Sequence, residues 1–148
     1  MTSASAPDKR AACELLLLRL LVGWVFLSGG IQKFLFPAAL GAGRFEEIGI
    51  PAPWFTGPLV GVVECLCGAM LIVGFFTIFA AIPLLIDIAV AIVTTKLPLP
   101  LKQGFWAAMH EGRTDFCMVL GLLAILLLGA GSFSLDERFS VGKRQRHA

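Results

Sequence analysis

Four apolar stretches decide what this chain can fold into. They run over about Leu15–Leu35, Thr56–Phe76, Thr77–Leu97 and Asp115–Gly131. A helix that crosses a bilayer needs roughly 17–25 mostly apolar residues. The first three stretches meet that need, and the fourth sits at its short limit. A soluble domain of 148 residues has no interior that would hide four such segments. The composition agrees, at 57% hydrophobic and 15% charged residues, against about 45–50% and about 25% in soluble domains. Disorder, a nucleic-acid-binding domain and most soluble enzymes are thereby excluded. The net charge of +2 is too small to name a partner. The first stretch is not read as a cleaved signal. It is too long, it contains Arg19 and Lys33, and no small-residue cleavage site follows an unbroken apolar core.

The expected fold is all-α, an integral membrane four-helix bundle with antiparallel up-down order. Residues 1–136 form one membrane domain, and residues 137–148 a basic tail. Spans two and three meet through Gly74-Phe75-Phe76-Thr77, which leaves room only for a tight hairpin. Lys9, Arg10, Arg138, Lys143, Arg144 and Arg146 flank the ends, against Arg44, Lys96, Lys102 and Arg113 in the other loops. That excess predicts both termini in the cytoplasm. Residues Ala38–Ile48 have the pattern of a short amphipathic helix, ended by Gly49 and Pro51. Residues Pro98–Gly112 read as a loop. Trp54 and Trp106 fall at the outer interface, where indole rings prefer to sit.

Charge inside the spans is the main pointer to function. Arg19 and Lys33 lie in span one, Glu64 in span two and Asp87 in span three. An ionised group at the bilayer centre costs about 2.5–3.5 kcal/mol on the lower scales, so such groups face a bundle interior and pair. Glu64 and Asp87 each sit about 17 Å from the hairpin turn at the helical rise per residue. Gly57, Gly61, Glu64 and Gly68 form one stripe, with a GxxxG step that lets backbones approach. Ala80, Leu84, Asp87, Ala91 and Thr94 form another, and Pro83 frees the carbonyl of Phe79. Packing the stripes buries Glu64 beside Asp87, with a shared proton or with Lys33 or Arg19 as partner. The plainer alternative is an ion pair that only fixes helix register.

Other candidates are weaker. Asp115 is expected to cap the fourth span. His110 is a candidate proton shuttle or metal ligand in what otherwise reads as a solvated loop, and no second histidine stands at a local metal-binding spacing. Cys65, like Cys13, Cys67 and Cys117, reads first as a small buried thiol, and Cys65-x-Cys67 is not a redox motif. No metal site and no cofactor motif is evident.

The run Leu18-Arg19-Leu20-Leu21-Val22-Gly23, with Phe26, Gly29-Gly30 and Gln32-Lys33, is followed by Phe45-Glu46-Glu47-Ile48-Gly49-Ile50-Pro51-Ala52-Pro53. Then come Val62-Val63-Glu64-Cys65, Gly68 and Gly74, and finally Gly129-Ala130-Gly131 and Ser134-Leu135-Asp136. This ordered set resembles the DoxX family of small bacterial membrane proteins over roughly Arg19 to Asp136. Here Gly-Ala-Gly-Ser-Phe stands before the last motif where the family pattern suggests Gly-Pro-Gly-Arg. The resemblance implies a four-helix membrane bundle in the bacterial inner membrane and a link to redox chemistry with thiosulfate, thiols or quinones. It also implies that Arg19, Lys33, Glu64 and the Ser134-Leu135-Asp136 motif are the family's corresponding residues. It identifies no catalytic residue.

Three functions compete. The chain is a subunit of a redox-associated membrane complex, with quinone as candidate cofactor, redox proteins as partners, and a ring site among Phe26, Phe75 and the cluster Lys33, Glu64 and Asp87. Alternatively it is a non-catalytic assembly or binding subunit, or a small-solute or proton transporter. The bilayer itself, and further copies of the chain, are the other expected partners. Asp136 should pair with Arg19 and clamp the first helix to the last.

Overall fold

The computed structural model describes residues 6–96 and 104–139, with side chains from residue 10 onward. The Lys9 side chain, Lys102 and the tail residues Lys143, Arg144, Arg146 and His147 fall outside that description. The described residues are all-helical: α1 Ala6–Leu35, α2 Ala42–Glu47, α3 Pro53–Val73, α4 Thr77–Ala91, and α5 Phe105–Leu128. A π-helical turn, Ile92–Lys96, prolongs α4. A last helical turn covers residues 135–139.

Local chemistry sets the boundaries. Pro53 opens α3 at a position where its missing N–H costs nothing. Gly74 closes α3 in the left-handed conformation, with its own amide and that of Phe75 turned back onto the Met70 carbonyl. Phe76 then adopts φ of 46°, a strained value for a residue with a side chain. The α3–α4 connection is therefore the tight hairpin that the short apolar link demands. The amphipathic segment narrows to α2, a six-residue helix ended by Ile48 and Gly49.

Neighbouring helices run antiparallel around a ring, α1 on α3, α3 on α4, α4 on α5, and α5 on α1. Their shared core holds Val22 and Phe26, Leu71, Ala80, Ala81 and Leu84, and Leu122 and Ile125. The outside is apolar too. Trp24 (65% exposed), Leu66, Ile86 and Leu127 (85% exposed) stand out from the four long helices. Such a surface suits lipid rather than water.

Three helices, Arg10–Leu35, Pro53–Val73 and Thr77–Lys96, are long and apolar enough to cross a membrane. The fourth crossing does not follow on the same ground. Helix α5 has the length, but Glu111, Arg113 and Asp115 stand in its first half. It also begins earlier than expected. Gly104, at φ of 88°, marks its start, and residues 105–112, read as loop, are helical. Asp115 is thus well inside the helix and caps nothing.

Candidate functional site

Close approach of α1 and α3 positions the site. Gly23 and Gly30 lie seven residues apart on α1, as do Gly61 and Gly68 on α3. A Cβ on Gly23 would fall 2.7 Å from the Gly68 carbonyl oxygen, and one on Gly30 would fall 2.7 Å from that of Gly61. Only hydrogen fits at these two crossings. They bring the far end of α1 against the middle of α3, and the Lys33 ammonium donates to Glu64 Oε2 at 2.6 Å.

Asp87 reaches the same place from α4, beside the Glu64 carboxyl. Glu64 is only 6% exposed. One ammonium therefore faces two carboxyl groups in a largely apolar setting. The glycine stripe around Glu64 is legible in sequence; its α1 counterpart is what makes the Lys33 contact.

These three residues stand at one end of a cavity of about 310 Å³ between α3 and α4. Its apolar wall includes Leu40, Phe45, Ile48, Ile50, Val60 and Val90. Helix α2 lies across it as a roof, seated by Ala42 against Gly57, where a Cβ would come within 2.8 Å of the Ala42 nitrogen. Arg44 projects from this roof into the lining. The Arg44 contribution is invisible in the sequence, because nothing local says that α2 folds over Glu64. The expected ring site is corrected here. Phe26 is buried in the helix core, and Phe75 packs on Phe76 and Phe139 at the opposite end.

That opposite end holds the second buried charge. Arg19 is fully buried, and its two terminal nitrogens donate to the carbonyls of Ala130 and Phe133, each at 2.6 Å. Its Nε has no partner among the described residues. Asp136 accepts from the amides of Phe76 at 2.7 Å and Thr77 at 2.9 Å, while its own amide donates to the Gly74 carbonyl. Among the described residues, Arg19 and Asp136 form no ion pair at the contact distance of about 4 Å. The expected direct clamp is replaced by two backbone clasps. Both groups find backbone dipoles: strained Phe76 and the start of α4 present amides, and the non-helical strap that follows α5 presents carbonyls. Ser134 braces the strap, accepting from the Glu137 amide and donating to the Gly131 carbonyl. An open cleft of about 590 Å³ lies here, lined by Asp136 and Glu137, and Asp136 is already committed to α4.

The remaining candidates stay apart from the cavity. His110 is exposed on α5, with Nδ1 3.4 Å from Arg113. Asp115 lies 3.8 Å from Lys96, which also approaches Glu111 at 3.5 Å. Cys65 Sγ sits against the Leu27 carbonyl and Gly30 in the α1–α3 seam. The four cysteines are free, and the described residues hold no group of ligands that would bind a metal.

The DoxX family model matches residues 14–97, which include Lys33, Glu64 and Asp87. The uncharacterized membrane protein Rv3486 of Mycobacterium tuberculosis (strain ATCC 25618 / H37Rv) is 53% identical over 129 residues, covering 83% of this chain and 79% of that protein. The "Putative oxidoreductase CatD" of Bacillus subtilis (strain 168) is 26% identical over 130 residues, covering 87% of this chain and 89% of that protein. No solved structure matches. A family model spanning more than half of the chain, together with the first of these relatives, shows that this protein belongs to the DoxX family of membrane proteins.

Proposed function

We propose that this protein is a membrane subunit of a redox-associated complex in the bacterial inner membrane. Its cavity receives a small amphipathic redox carrier of the quinone type. The observation that carries this reading is the Lys33–Glu64 contact with Asp87 beside it, facing a cavity of about 310 Å³. A pocket of that size lies at the lower end of the roughly 300–1,000 Å³ typical of small-ligand sites. The carboxyl groups are the proton-exchanging parts, and the apolar wall holds a ring. Electrons come from a partner protein or a thiol or thiosulfate substrate. The name of the Bacillus relative agrees with a redox role. In this reading α5 crosses the bilayer with its charged first half at the outer interface, and both termini are cytoplasmic. The cavity then lies toward the outer leaflet.

The test uses the purified protein with its copurifying partners, a short-tailed quinone and thiosulfate. Turnover that is lost in Glu64→Gln and Asp87→Asn, with the complex intact, supports the reading. Loss of the complex together with activity supports an assembly subunit instead. No turnover in any combination ends the redox reading.

A further inference from the structure

The cavity has more acceptors than donors, and that imbalance singles out one residue. Lys33 gives one hydrogen to Glu64 at 2.6 Å and faces Asp87 as well, so its charge is directed at the two carboxyl groups. Three threonines line the roofed end, and each has spent its hydroxyl hydrogen on a backbone carbonyl. Thr56 donates to Ala52 or Pro51, Thr94 to Val90 or Ala91, and Thr95 to Ala91. They can accept from a ligand but not donate to it. Arg44 is different. Its side chain is 48% exposed, and it holds one contact of 3.4 Å to Glu47, three residues along the same short helix. An exposed pair of that length is weak and easily exchanged, and a guanidinium carries five donors. Its backbone is not loose, because Ala42 is locked on Gly57. The structure thus holds a positioned, underused cation at the roof, across the cavity from the carboxyl cluster.

We infer that Arg44 is a specificity-determining residue of the cavity, which selects an apolar molecule presenting an acceptor oxygen to the roof. The inference rests on the proposed reading of the cavity and deepens it. Glu64 and Asp87 lie eight residues below Thr56 and seven below Thr94, so about 10–12 Å of helix rise separates roof from floor. A six-membered ring with oxygens at opposite ends, plus one hydrogen bond of about 2.8 Å at each end, fills that depth. The roof oxygen accepts from Arg44, and the floor oxygen meets the carboxyl groups. A fatty carboxylate shares the acceptor chemistry at the roof but would lay its tail against the floor carboxyls.

The experiment measures binding to the full chain in lipid nanodiscs by calorimetry. Two probes are used, a decyl-tailed 1,4-benzoquinone and decanoate. Wild type should bind the quinone. Arg44→Gln should weaken that binding by about tenfold or more, the loss expected for a charge-assisted hydrogen bond, and Arg44→Lys should recover part of it. Glu47→Gln releases Arg44 from its surface partner and should tighten binding, an opposite shift that misfolding does not produce. Quinone binding unchanged in Arg44→Gln and in Glu47→Gln overturns the assignment while leaving the proposed function intact. Decanoate binding that depends on Arg44, without quinone binding, supports Arg44 as the selecting cation and overturns the quinone reading. Binding of neither probe to wild type overturns both.

Discussion

The two ends of the helix ring bury charge in opposite ways. At the hairpin end, Arg19 and Asp136 are met by backbone groups: two carbonyls for the cation, two amides for the anion. At the cavity end, Lys33, Glu64 and Asp87 face one another, with two carboxyl groups for one ammonium and an adjoining cavity. Backbone partners cannot leave, so the first arrangement is architecture. Side-chain partners with a cavity beside them can exchange partners or protons, so the second is where chemistry has room. Buried charge alone does not mark a functional site; what the charge is bound to separates the two.

The sharpest way to break this contrast is to remove charge at each end and compare stability. We expect Arg19→Ala to cost about 3 kcal/mol or more, because two charge-assisted hydrogen bonds vanish and two buried carbonyls lose their donors. Unfolding of the purified protein in mild detergent reads this directly. Arg19→Lys should recover little of the loss, since one ammonium does not span two carbonyls as a guanidinium fork does. Next in size is Gly23→Leu, at about 1–3 kcal/mol, because the new side chain meets the α3 backbone at Gly68 as well as the Ile72 side chain. Asp136→Ala should follow at about 0.5–2 kcal/mol, the usual range for a lost cap, with amide exchange at Phe76 and Thr77 rising first. Glu64→Gln should change stability least, by under about 1 kcal/mol, since Lys33 keeps Asp87 as a counter-charge. Equal destabilisation by Glu64→Gln and Arg19→Ala would erase the distinction between the two ends.

Lys33, Glu64 and Asp87 are legible in the sequence for a physical reason. A charge inside an apolar run stands out against its surroundings, and helical rise then places it in depth. The same logic names Arg19, and the family resemblance names Asp136, but neither shows the backbone groups that each one binds. Ala130 and Phe133 serve through their carbonyls, and a carbonyl looks alike at every residue. The extent of α5 is not legible either, because Gly112 and the polar run around it read as loop, whereas the break falls at Gly104. Arg44 and the apolar residues around it read as a short amphipathic helix. Their place over Glu64 depends on Ala42 finding Gly57, which is a contact between segments and leaves no local pattern.

The two glycine crossings carry a consequence for how such a chain can change. Contacts made at two levels, seven residues apart, behave as a vernier. They set the rotation and the height of α1 against α3 without help from any charged group. The gap between Lys33 and Glu64 is therefore inherited from the frame rather than held by the attraction across it. The side chains at 33, 64 and 87 can be replaced to suit another cargo while the frame keeps its alignment, whereas one methyl group at Gly23 or Gly30 would spoil the alignment and leave every charge in the chain untouched.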